Sequence, residues 1–350
     1  MDIKKLLPKI KKNVLLKDYT TFRIGGPAKY FLETEKKEDI VRVISAAKKF
    51  NLPFFILGGG SNLLVSDKGF KELVIKIKNK ELKVKNNKIF VEAGVVLNQL
   101  VNTALKNNLS GLEWAAGIPG TVGGAICGNA GAFNKSTGDL VKNVEVLEVA
   151  NCKIKILNNK DCNFRYRDSI FKHKKNLIVL SATLQLKKIN RKEIKERIKK
   201  YLNYRKETQP LNYPSAGSIF KNPKGFSGGE LGEEAKKQKA SSLCGANACI
   251  DKSSSLATER AKISKGGKER IFFDFAAASF AAARMIEECG LKGKRIGNVK
   301  ISEKHANFIV NLGQGKAKDV KKLIELAKKR VKKKFGIDLK EEICYLGFKN

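Results

Sequence analysis

Two kinds of hydrophobic pattern alternate along the chain. In the first, apolar residues recur every three or four positions, which places them on one face of a helix. In residues 38–50, for example, Ile40, Val43, Ile44 and Ala47 share such a face. The same spacing predicts further helices at 97–105, 191–205, 281–289 and 320–335.

The second pattern consists of short apolar runs rich in β-branched residues, which predict strands. A buried strand is expected at 54–57, and residues 14–34 are expected to be extended around a turn at Gly25-Gly26-Pro27. Further strands are predicted at 73–77, 89–92, 141–149, 153–157, 177–186, 307–311 and 337–346. This order of elements predicts an α+β protein whose first domain ends near residue 186.

Two glycine-rich segments interrupt these patterns. Residues 111–133 read GLEWAAGIPGTVGGAICGNAGAF, and residues 54–67 read FFILGGGSNLLVSD. Small residues let a backbone approach a ligand closely, and successive N–H groups in such a turn form an anion-binding concavity. The pair therefore predicts two clamps on one extended anionic cofactor, with two closely packed tight turns as the alternative.

Neither segment matches a standard nucleotide-binding fingerprint. Gly58, Gly59 and Gly60 fail the G-x-G-x-x-G pattern because position 63 is leucine, and Ala125 replaces the second glycine of a similar run at 123–128. No G-x-x-x-x-G-K-[ST] occurs. Any nucleotide is therefore expected on a scaffold other than the Rossmann or P-loop type.

Length and charge bound the possible functions. The 350 residues predict two or three domains, and 71 Lys+Arg against 34 Asp+Glu give a formal net charge of +37. Such a charge allows a basic nucleic-acid-binding protein. However, the basic residues are mostly lysines spread along the whole chain, and only one Trp is present. A solvated lysine-rich surface that favours anionic ligands, such as a nucleotide sugar, accounts for the charge better.

The seven cysteines include no C-x-x-C motif, which argues against a disulfide framework or a zinc site. Cys244 and Cys249 lie close together but have no second pair or histidine nearby. The N-terminus lacks the continuous apolar core of a secretory signal, and the longest apolar run, 271–286, is broken by Asp274 and Arg284. We therefore expect a cytoplasmic protein that does not cross a membrane.

Three short segments combine reactive side chains with turn-forming residues. In 164–169 (FRYRDS), tyrosine and arginine could bind a carboxylate or phosphate, or form an exposed charged turn. In 216–223 (AGSIFKNP), Ser218 follows a glycine and has a lysine nearby, although a turn serine is the alternative. Glu341-Glu342 could supply a general acid, or could face solvent at a sheet edge.

Other features carry less chemistry. No G-x-S-x-G elbow is present, which disfavours acyl transfer, and the isolated His173 and His305 are expected to be structural. Residues 227–279 are rich in Ser, Ala, Lys and Gly and have little periodicity, so we expect a long loop or a partly disordered insertion.

Several long motifs, in colinear order, resemble the UDP-N-acetylenolpyruvoylglucosamine reductase family. They are TTFRIGG, LGGGSNLLVSD, GIPGTVGGAICGNAGAF, CNFRYRDSIFK, YPSAGSIFKNP, GNVKISEKHANFIVN and GIDLKEEI. The resemblance runs from about residue 15 to residue 347 apart from residues 227–279, and the helix that directly follows the strand at 177–186 resembles the shorter subtype.

This resemblance implies an FAD-binding domain of the vanillyl-alcohol-oxidase type in two lobes, at 1–187 and split near 78. An α+β substrate-binding domain would follow at 188–350, with an atypical insertion at about 227–279. The implied reaction has NADPH reduce FAD, after which the enolpyruvyl ether of a UDP-sugar is reduced to a peptidoglycan precursor. The resemblance implies no metal, nucleic acid, membrane or obligate protein partner.

The resemblance also assigns individual residues. Ser218 matches the family's proton donor, Arg167 its substrate-carboxylate arginine and Glu342 its essential acid. The implied cofactor-binding residues are Gly58, Gly59, Gly60, Ser61, Asn62, Gly117, Ile118, Pro119, Gly120, Gly123, Gly124 and Ala125. The implied substrate-binding residues are Tyr166, Arg205, Lys221, Asn222 and Asn307.

Two alternatives to this function stay open at the level of the sequence. One is another FAD-linked oxidoreductase on the same scaffold, which would lack the set of Ser218, Arg167 and Glu342. The other is the basic nucleic-acid-binding protein. Retained yellow colour on purification would favour a flavoprotein, whereas salt-sensitive retention of nucleic acid without colour would favour the second alternative.

Overall fold

The computed structural model describes residues 7–223 and 281–348. The first lobe contains β1 (Lys11–Leu15), β2 (Pro27–Thr34), α1 (Lys37–Lys49), β3 (Phe54–Leu57), β4 (Leu63–Val65) and β5 (Phe70–Ile77). Its sheet has the order β1-β2-β5-β3, in which β1 is antiparallel to β2 and the other pairs are parallel. A 3-10 helix at Leu16–Tyr19 follows β1.

Helix α1 covers this sheet as its sequence predicts. Ile40, Val43, Ile44 and Ala47 are all buried, whereas Arg42 and Ser45 between them reach solvent. Glu38 and Asp39 lie in its first turn and Lys48 and Lys49 in its last, which suits the helix dipole. Burial of one apolar face against the sheet therefore stabilises the helix.

The second lobe is built on a five-stranded antiparallel sheet. Its elements are β6 (Leu82–Lys85), β7 (Lys88–Glu92), α2 (Leu97–Lys106), β8 (Leu109–Ser110), α3 (Val122–Gly128), β9 (Gly131–Ala132), β10 (Lys135–Ser136), β11 (Val141–Glu148), β12 (Lys153–Asn158), α4 (Ile170–His173), β13 (Leu177–Gln185) and β14 (Lys187–Lys188). The sheet order is β12-β11-β13-β7-β6. Short 3-10 helices lie at Glu113–Ala115 and Lys160–Cys162.

The remaining elements form a smaller sheet with helices beside it. They are α5 (Arg191–Thr208), β15 (Ser215–Ser218), α6 (Ala282–Glu288), β16 (Arg295–Ile296), β17 (Val299–Ile301), β18 (Phe308–Asn311), α7 (Ala317–Phe335) and β19 (Cys344–Leu346). The antiparallel sheet has the order β15-β18-β17-β16. Strand β19 leaves this unit and pairs in parallel with β4 of the first lobe.

The hydrophobic cores follow this division. One core contains buried residues between Leu7 and Leu186 and fills the space around the first two sheets. Another joins α6, α7 and the β15–β18 sheet, and it also takes in Phe22, Ile24 and Leu64. The C-terminal unit is therefore packed directly against the first lobe, which brings residues from the end of the chain close to the glycine segment at 58–62.

Most predicted elements are confirmed to within a few residues, and the α+β fold class is confirmed. The predicted strand at 337–346 is wrong over most of its length, because only Cys344–Leu346 is a strand. Leu339 and Ile343 are nevertheless buried, so alternating burial there belongs to an irregular segment. Helix α3, within the second glycine-rich segment, was not predicted. No helix among the described residues has the length and apolar character that a membrane span needs.

Candidate active site

The two glycine-rich segments lie against each other. One, residues 58–62, joins β3 to β4, and the other, residues 117–121, precedes α3. A Cβ built on Gly59 would lie 2.6 Å from Gly120 Cα, and one built on Gly58 would lie 2.6 Å from Thr121 Oγ1. Because real Cβ atoms do not approach other atoms so closely, only glycine permits this contact. The structure thus brings together the two segments that the sequence predicts as clamps.

The first glycine segment also presents free hydrogen-bond donors. Within the described ranges, the backbone N–H groups of Gly59, Gly60 and Ser61 have no acceptor, and Gly60 is left-handed with a φ of 63°. Consecutive unpaired N–H groups in a turn form an anion site. Lys76 lies beside them: its Nζ donates to Gly58 O at 2.9 Å, and burial lowers its pKa. These residues fit the pyrophosphate of FAD.

The second glycine segment is held from both sides. On one side, the N–H of Gly123 donates to Ala93 O (2.9 Å), and that of Leu97 donates to Gly120 O (3.0 Å). On the other side, Arg205 of α5 donates from Nε to Ala116 O and from Nη2 to Trp114 O, both at 2.9 Å.

Arg205 lies close to Gly117, since a Cβ built on Gly117 would lie 3.2 Å from Arg205 Cδ. Arg205 is buried, with 7% of the residue exposed, and burial lowers its pKa. Its rigid planar fork donates to the two carbonyls from two separate nitrogens, whereas a lysine has a single nitrogen on a flexible stem. The contacts seen here are therefore with the glycine segment, and contact with substrate stays a prediction.

Tyr166 and Arg167 occupy the tip of a tight turn. The N–H of Arg165 donates to Asp168 O, and that of Asp168 donates to Arg165 O, each at 3.0 Å. Asn129, which ends α3, anchors this turn by donating from Nδ2 to Arg165 O (2.8 Å). Arg167 has a φ of 53°, an uncommon conformation for a residue with a Cβ, so the surrounding contacts must hold it.

Three interactions fix the Arg167 side chain. Its Nε lies 2.7 Å from Glu342 Oε1, its Nη2 donates to Gly131 O at 2.7 Å, and its Cζ lies 5.3 Å from the centre of the Tyr166 ring. Lys172 holds the backbone of the same residue by donating to Arg167 O at 2.7 Å. The exposed-turn alternative for this segment is therefore wrong for Arg167, whose side chain is only 23% exposed.

Glu342 is a largely buried carboxyl among cations. Burial raises its pKa, while the charges of Arg167, Lys172 and Lys221 oppose that rise. The solvent-facing alternative is therefore wrong for Glu342. Glu341, the adjacent acid, points elsewhere: it accepts from Lys328 Nζ at 2.9 Å and from the Tyr345 hydroxyl. The two acids consequently have different environments, and only Glu342 meets Arg167.

Hydrogen bonds to its backbone connect Glu342 to the first glycine segment and to Ile219, the residue that follows Ser218. Asn62 Nδ2 donates to Glu342 O at 3.0 Å, and the N–H of Cys344 donates to Asn62 O at 3.0 Å. The N–H of Glu342 in turn donates to Ile219 O at 2.8 Å. The sequence gives no sign of the link between Asn62 and Glu342, because it spans most of the chain.

Ser218 ends β15 and pairs with Phe308 of β18. Its hydroxyl makes no hydrogen bond with any residue in 7–223 or 281–348, and the preceding Gly217 is left-handed with a φ of 74°. After Ser218 the segment continues to Lys221 and Asn222, where the N–H of Asn222 donates to the Tyr166 hydroxyl at 3.4 Å. Ser218, Tyr166 and Glu342 therefore belong to one connected region.

The two histidines and the cysteines were the other candidates from the sequence. His173 pairs with Asp168 at 2.9 Å on an exposed surface, and burial lowers the pKa of His305. No group of three or more His, Cys, Asp or Glu within the described chain could hold a metal. The expectations for residues 227–279, including Cys244 and Cys249, lie outside the described residues. Lys172 and Asn129 are contributors that sequence reasoning missed, although both fall within quoted motifs.

Known proteins resemble this chain over nearly all its length. A family model described as "UDP-N-acetylenolpyruvoylglucosamine reductase, C-terminal domain" matches residues 209–346, and one described as "FAD binding domain" matches residues 28–158. The UDP-N-acetylenolpyruvoylglucosamine reductase of Clostridium novyi (strain NT) is 38% identical over 97% of this chain and 92% of the relative. The enzyme of the same name from Caldanaerobacter subterraneus subsp. tengcongensis is 38% identical over 97% of this chain and 95% of the relative.

A solved structure agrees with these similarities. The crystal structure of UDP-N-acetylenolpyruvylglucosamine reductase from Thermus caldophilus aligns with a TM-score of 0.70 and 32% identity, covering 96% of this chain and 99% of that chain. Sequence and fold therefore agree over nearly the whole chain. The chain belongs to the UDP-N-acetylenolpyruvoylglucosamine reductase family.

Proposed function

We propose that this protein is an FAD-containing, NADPH-dependent reductase that converts the enolpyruvyl ether of UDP-N-acetylglucosamine to UDP-N-acetylmuramate, a peptidoglycan precursor. One observation carries the proposal: Glu342 joins three parts of the site. Its carboxylate contacts Arg167, its N–H donates to Ile219 O next to Ser218, and its carbonyl accepts from Asn62 of the first glycine segment. The names of the relatives supply the substrate class, and the FAD binding domain supplies the cofactor.

Arg167 and Glu342 suit a reaction that builds negative charge on a carboxylate. FAD, when bound, supplies the hydride that originates from NADPH. Hydride addition to a double bond conjugated with a carboxylate moves charge onto that carboxylate. The Arg167 guanidinium would stabilise the charge as it develops, and Glu342, whose pKa burial raises, would share a proton there.

Ser218 would complete the reaction as the proton donor. Its hydroxyl would protonate the carbon next to the carboxylate, so that one hydride and one proton add across the double bond. No hydrogen bond from the described chain competes for that hydroxyl. Protonation from one fixed side of the double bond gives a single stereochemical product.

Three of the proposed substrate-binding residues lie on or beside the segment that follows Ser218. Lys221 and Asn222 follow Ser218 on the same segment, and Tyr166 contacts Asn222. The family resemblance also implies Arg205 and Asn307, although the contacts of Asn307 in the structure are with the backbone of Ile219 and Phe220. Positive charge from Lys221 and Arg205 would favour an anionic sugar nucleotide. The proposed cofactor-binding residues are 58–62 and 117–120 of the two glycine segments, together with Gly123, Gly124 and Ala125.

We keep the predicted domain division, 1–187 for FAD and 188–350 for substrate with the lobes split near 78, as part of this proposal. The separate main sheets of the two lobes support the split, and the core around α6 and α7 supports the second domain, although Phe22, Ile24 and Leu64 also enter that core. The proposal also places the protein in the cytoplasm, where nucleotide sugars and NADPH are made. It requires no nucleic acid and no obligate protein partner.

Steady-state turnover tests this function. With the purified full-length protein and FAD, NADPH loss should require the enolpyruvyl UDP-sugar and yield a product heavier by two hydrogens. NADPH loss that ignores the sugar would instead support another FAD-linked oxidoreductase. Failure to bind flavin would rule out both.

A further inference from the structure

Asn307 holds the backbone that follows Ser218. Its side chain is buried, with 5% of the residue exposed. The N–H of Phe220 donates to Asn307 Oδ1 and Asn307 Nδ2 donates to Phe220 O, both at 2.9 Å. The N–H of Ile219 also donates to the main-chain oxygen of Asn307 at 2.9 Å. One asparagine therefore pairs with two consecutive residues of the segment 218–222, the serine segment.

This pairing replaces a strand ladder that has ended. Between Ser215 and Ser218 the pairing with β18 is irregular, since Ser215 lies opposite Val310 and Ser218 opposite Phe308. The two strands are antiparallel, and Ser218 lies opposite Phe308, the first residue of β18. Residues after Ser218 therefore have no β18 residue opposite them. A buried peptide needs partners for its N–H and C=O groups. The amide of Asn307 supplies both for Phe220, as a neighbouring strand would.

The backbone that Asn307 holds, at Ile219 and Phe220, connects residues proposed to act in the reaction. Phe220 stands two residues after Ser218 and directly before Lys221, and it also forms a bridge with Glu341. Ile219, the other residue bonded to Asn307, accepts from the N–H of Glu342 at 2.8 Å. A shift of this peptide would therefore move the serine hydroxyl relative to the carboxyl of Glu342.

We propose that Asn307 is a positioning residue for proton transfer, acting through the Phe220 and Ile219 backbone on Ser218 and not through direct contact with substrate. This inference rests on the proposed function of Ser218. It differs from the substrate-binding role that the family resemblance implies for Asn307, because the residue is buried and both polar ends of its amide bond to the Phe220 backbone.

The test compares Asn307→Ala with Asn311→Ala. Asn311 ends β18, the strand that directly follows Asn307, and it is also buried. It bonds to other backbone: its Nδ2 donates to Phe22 O at 3.0 Å, and its Oδ1 accepts from the N–H groups of Gly313 and Gly315. Both substitutions delete a buried side-chain amide that both donates to and accepts from backbone groups. Only one of them touches the serine segment.

In rapid-mixing experiments, Asn307→Ala should leave flavin reduction by NADPH within about twofold of wild type. It should slow reoxidation of the reduced flavin at saturating enolpyruvyl UDP-sugar about tenfold or more. The solvent deuterium isotope effect on that step should increase, because proton transfer becomes slower. Asn311→Ala should leave both half-reactions within about twofold. Asn307→Asp, which keeps the acceptor for the Phe220 N–H, should give an intermediate loss and serves if the alanine variant does not fold.

Three results would overturn the inference. They are an equal loss in both half-reactions, a loss in Asn311→Ala that matches that of Asn307→Ala, and a weaker apparent substrate affinity with an unchanged saturating rate and isotope effect. The last would show direct substrate contact. If wild-type reduced enzyme is not reoxidised by the enolpyruvyl UDP-sugar at all, the proposed function fails instead.

Discussion

Arg167 Nε lies 2.7 Å from Glu342 Oε1 and so joins the second lobe to the C-terminal segment. Both side chains are mostly buried, at 23% and 19% exposure. Removing a carboxylate from water costs free energy, which an adjacent guanidinium offsets only in part. For Glu342 the burial is the larger influence and raises its pKa. The pair therefore keeps a carboxyl that can hold a proton next to a permanent positive charge.

This raised pKa predicts a pH-dependent difference between wild type and Glu342→Gln. The folded state binds the proton more tightly than the unfolded chain does. The resulting stability is fully present below the unfolded pKa and is lost as pH rises through the raised folded pKa. The glutamine variant lacks this dependence. Denaturant unfolding across that pH range should show wild type losing free energy of unfolding relative to the variant.

The opposite slope would contradict this account of Glu342. If wild type gained stability over Glu342→Gln as pH rose, the ion pair with Arg167 would dominate and the folded pKa would be depressed. Glu341→Gln is the matched control, because Glu341 contacts Lys328 and Tyr345 instead of Arg167.

Ser218→Ala should separate the two half-reactions. Loss of a positioned proton donor is expected to slow enolpyruvyl reduction by a factor of about 10²–10⁴, whereas bleaching of the flavin by NADPH should be largely unchanged. Ser215→Ala, on the same strand, should leave both rates close to wild type. Stopped-flow absorbance measures each half-reaction, and equal loss of both in Ser218→Ala would count against the proton-donor role.

Gly59→Ala should release the flavin. The added Cβ would lie 2.6 Å from Gly120 Cα and force the two glycine segments apart. Overpacking of this kind costs about 1–3 kcal/mol, so we expect FAD affinity to fall about tenfold or more. Gly128→Ala is the control, because a Cβ there meets nothing within 4 Å. Flavin titration by fluorescence measures both, and equal affinities would argue against a joint clamp.

Arg205→Lys should destabilise the protein although it keeps the charge. The carbonyls of Trp114 and Ala116 each accept from Arg205, and a buried carbonyl left without a donor costs about 1–3 kcal/mol. Arg197 lies on the same helix, exposed beside Glu193, so Arg197→Lys should change the free energy of unfolding by less than about 0.5 kcal/mol. Similar denaturation midpoints for the two variants would show that the fork contact is unimportant.

The helices and longer strands could be predicted because their periodicity is local. Helix α1 has its apolar residues at regular positions, and the structure buries each of them. Residues 337–343 show why the same reasoning fails elsewhere. Leu339 and Ile343 are buried in the core that contains α7, so their alternation with polar residues resembles a strand. Residues 340–342 make only one isolated bridge and a few backbone hydrogen bonds with 219–221, and the strand proper is limited to Cys344–Leu346, which pairs with β4.

The sequence motifs identify the candidate site residues, but they do not show how the fold brings those residues together. Periodicity alone left Ser218, Arg167 and Glu342 as separate candidates, and the family resemblance grouped them. Their proximity depends on the parallel pairing of β19 with β4 and on the turn that carries Arg167. Such long-range contacts leave no trace in local spacing. For the same reason, the sequence did not show that Asn62 bonds to the backbone of Glu342.

A structure of the holoenzyme with the enolpyruvyl UDP-sugar bound tests the central claim most directly. The account predicts that the substrate carboxylate contacts the Arg167 guanidinium and Glu342, and that the double bond lies between the flavin and Ser218 Oγ. A substrate whose carboxylate lies away from Arg167, or whose double bond is out of reach of Ser218, would contradict it.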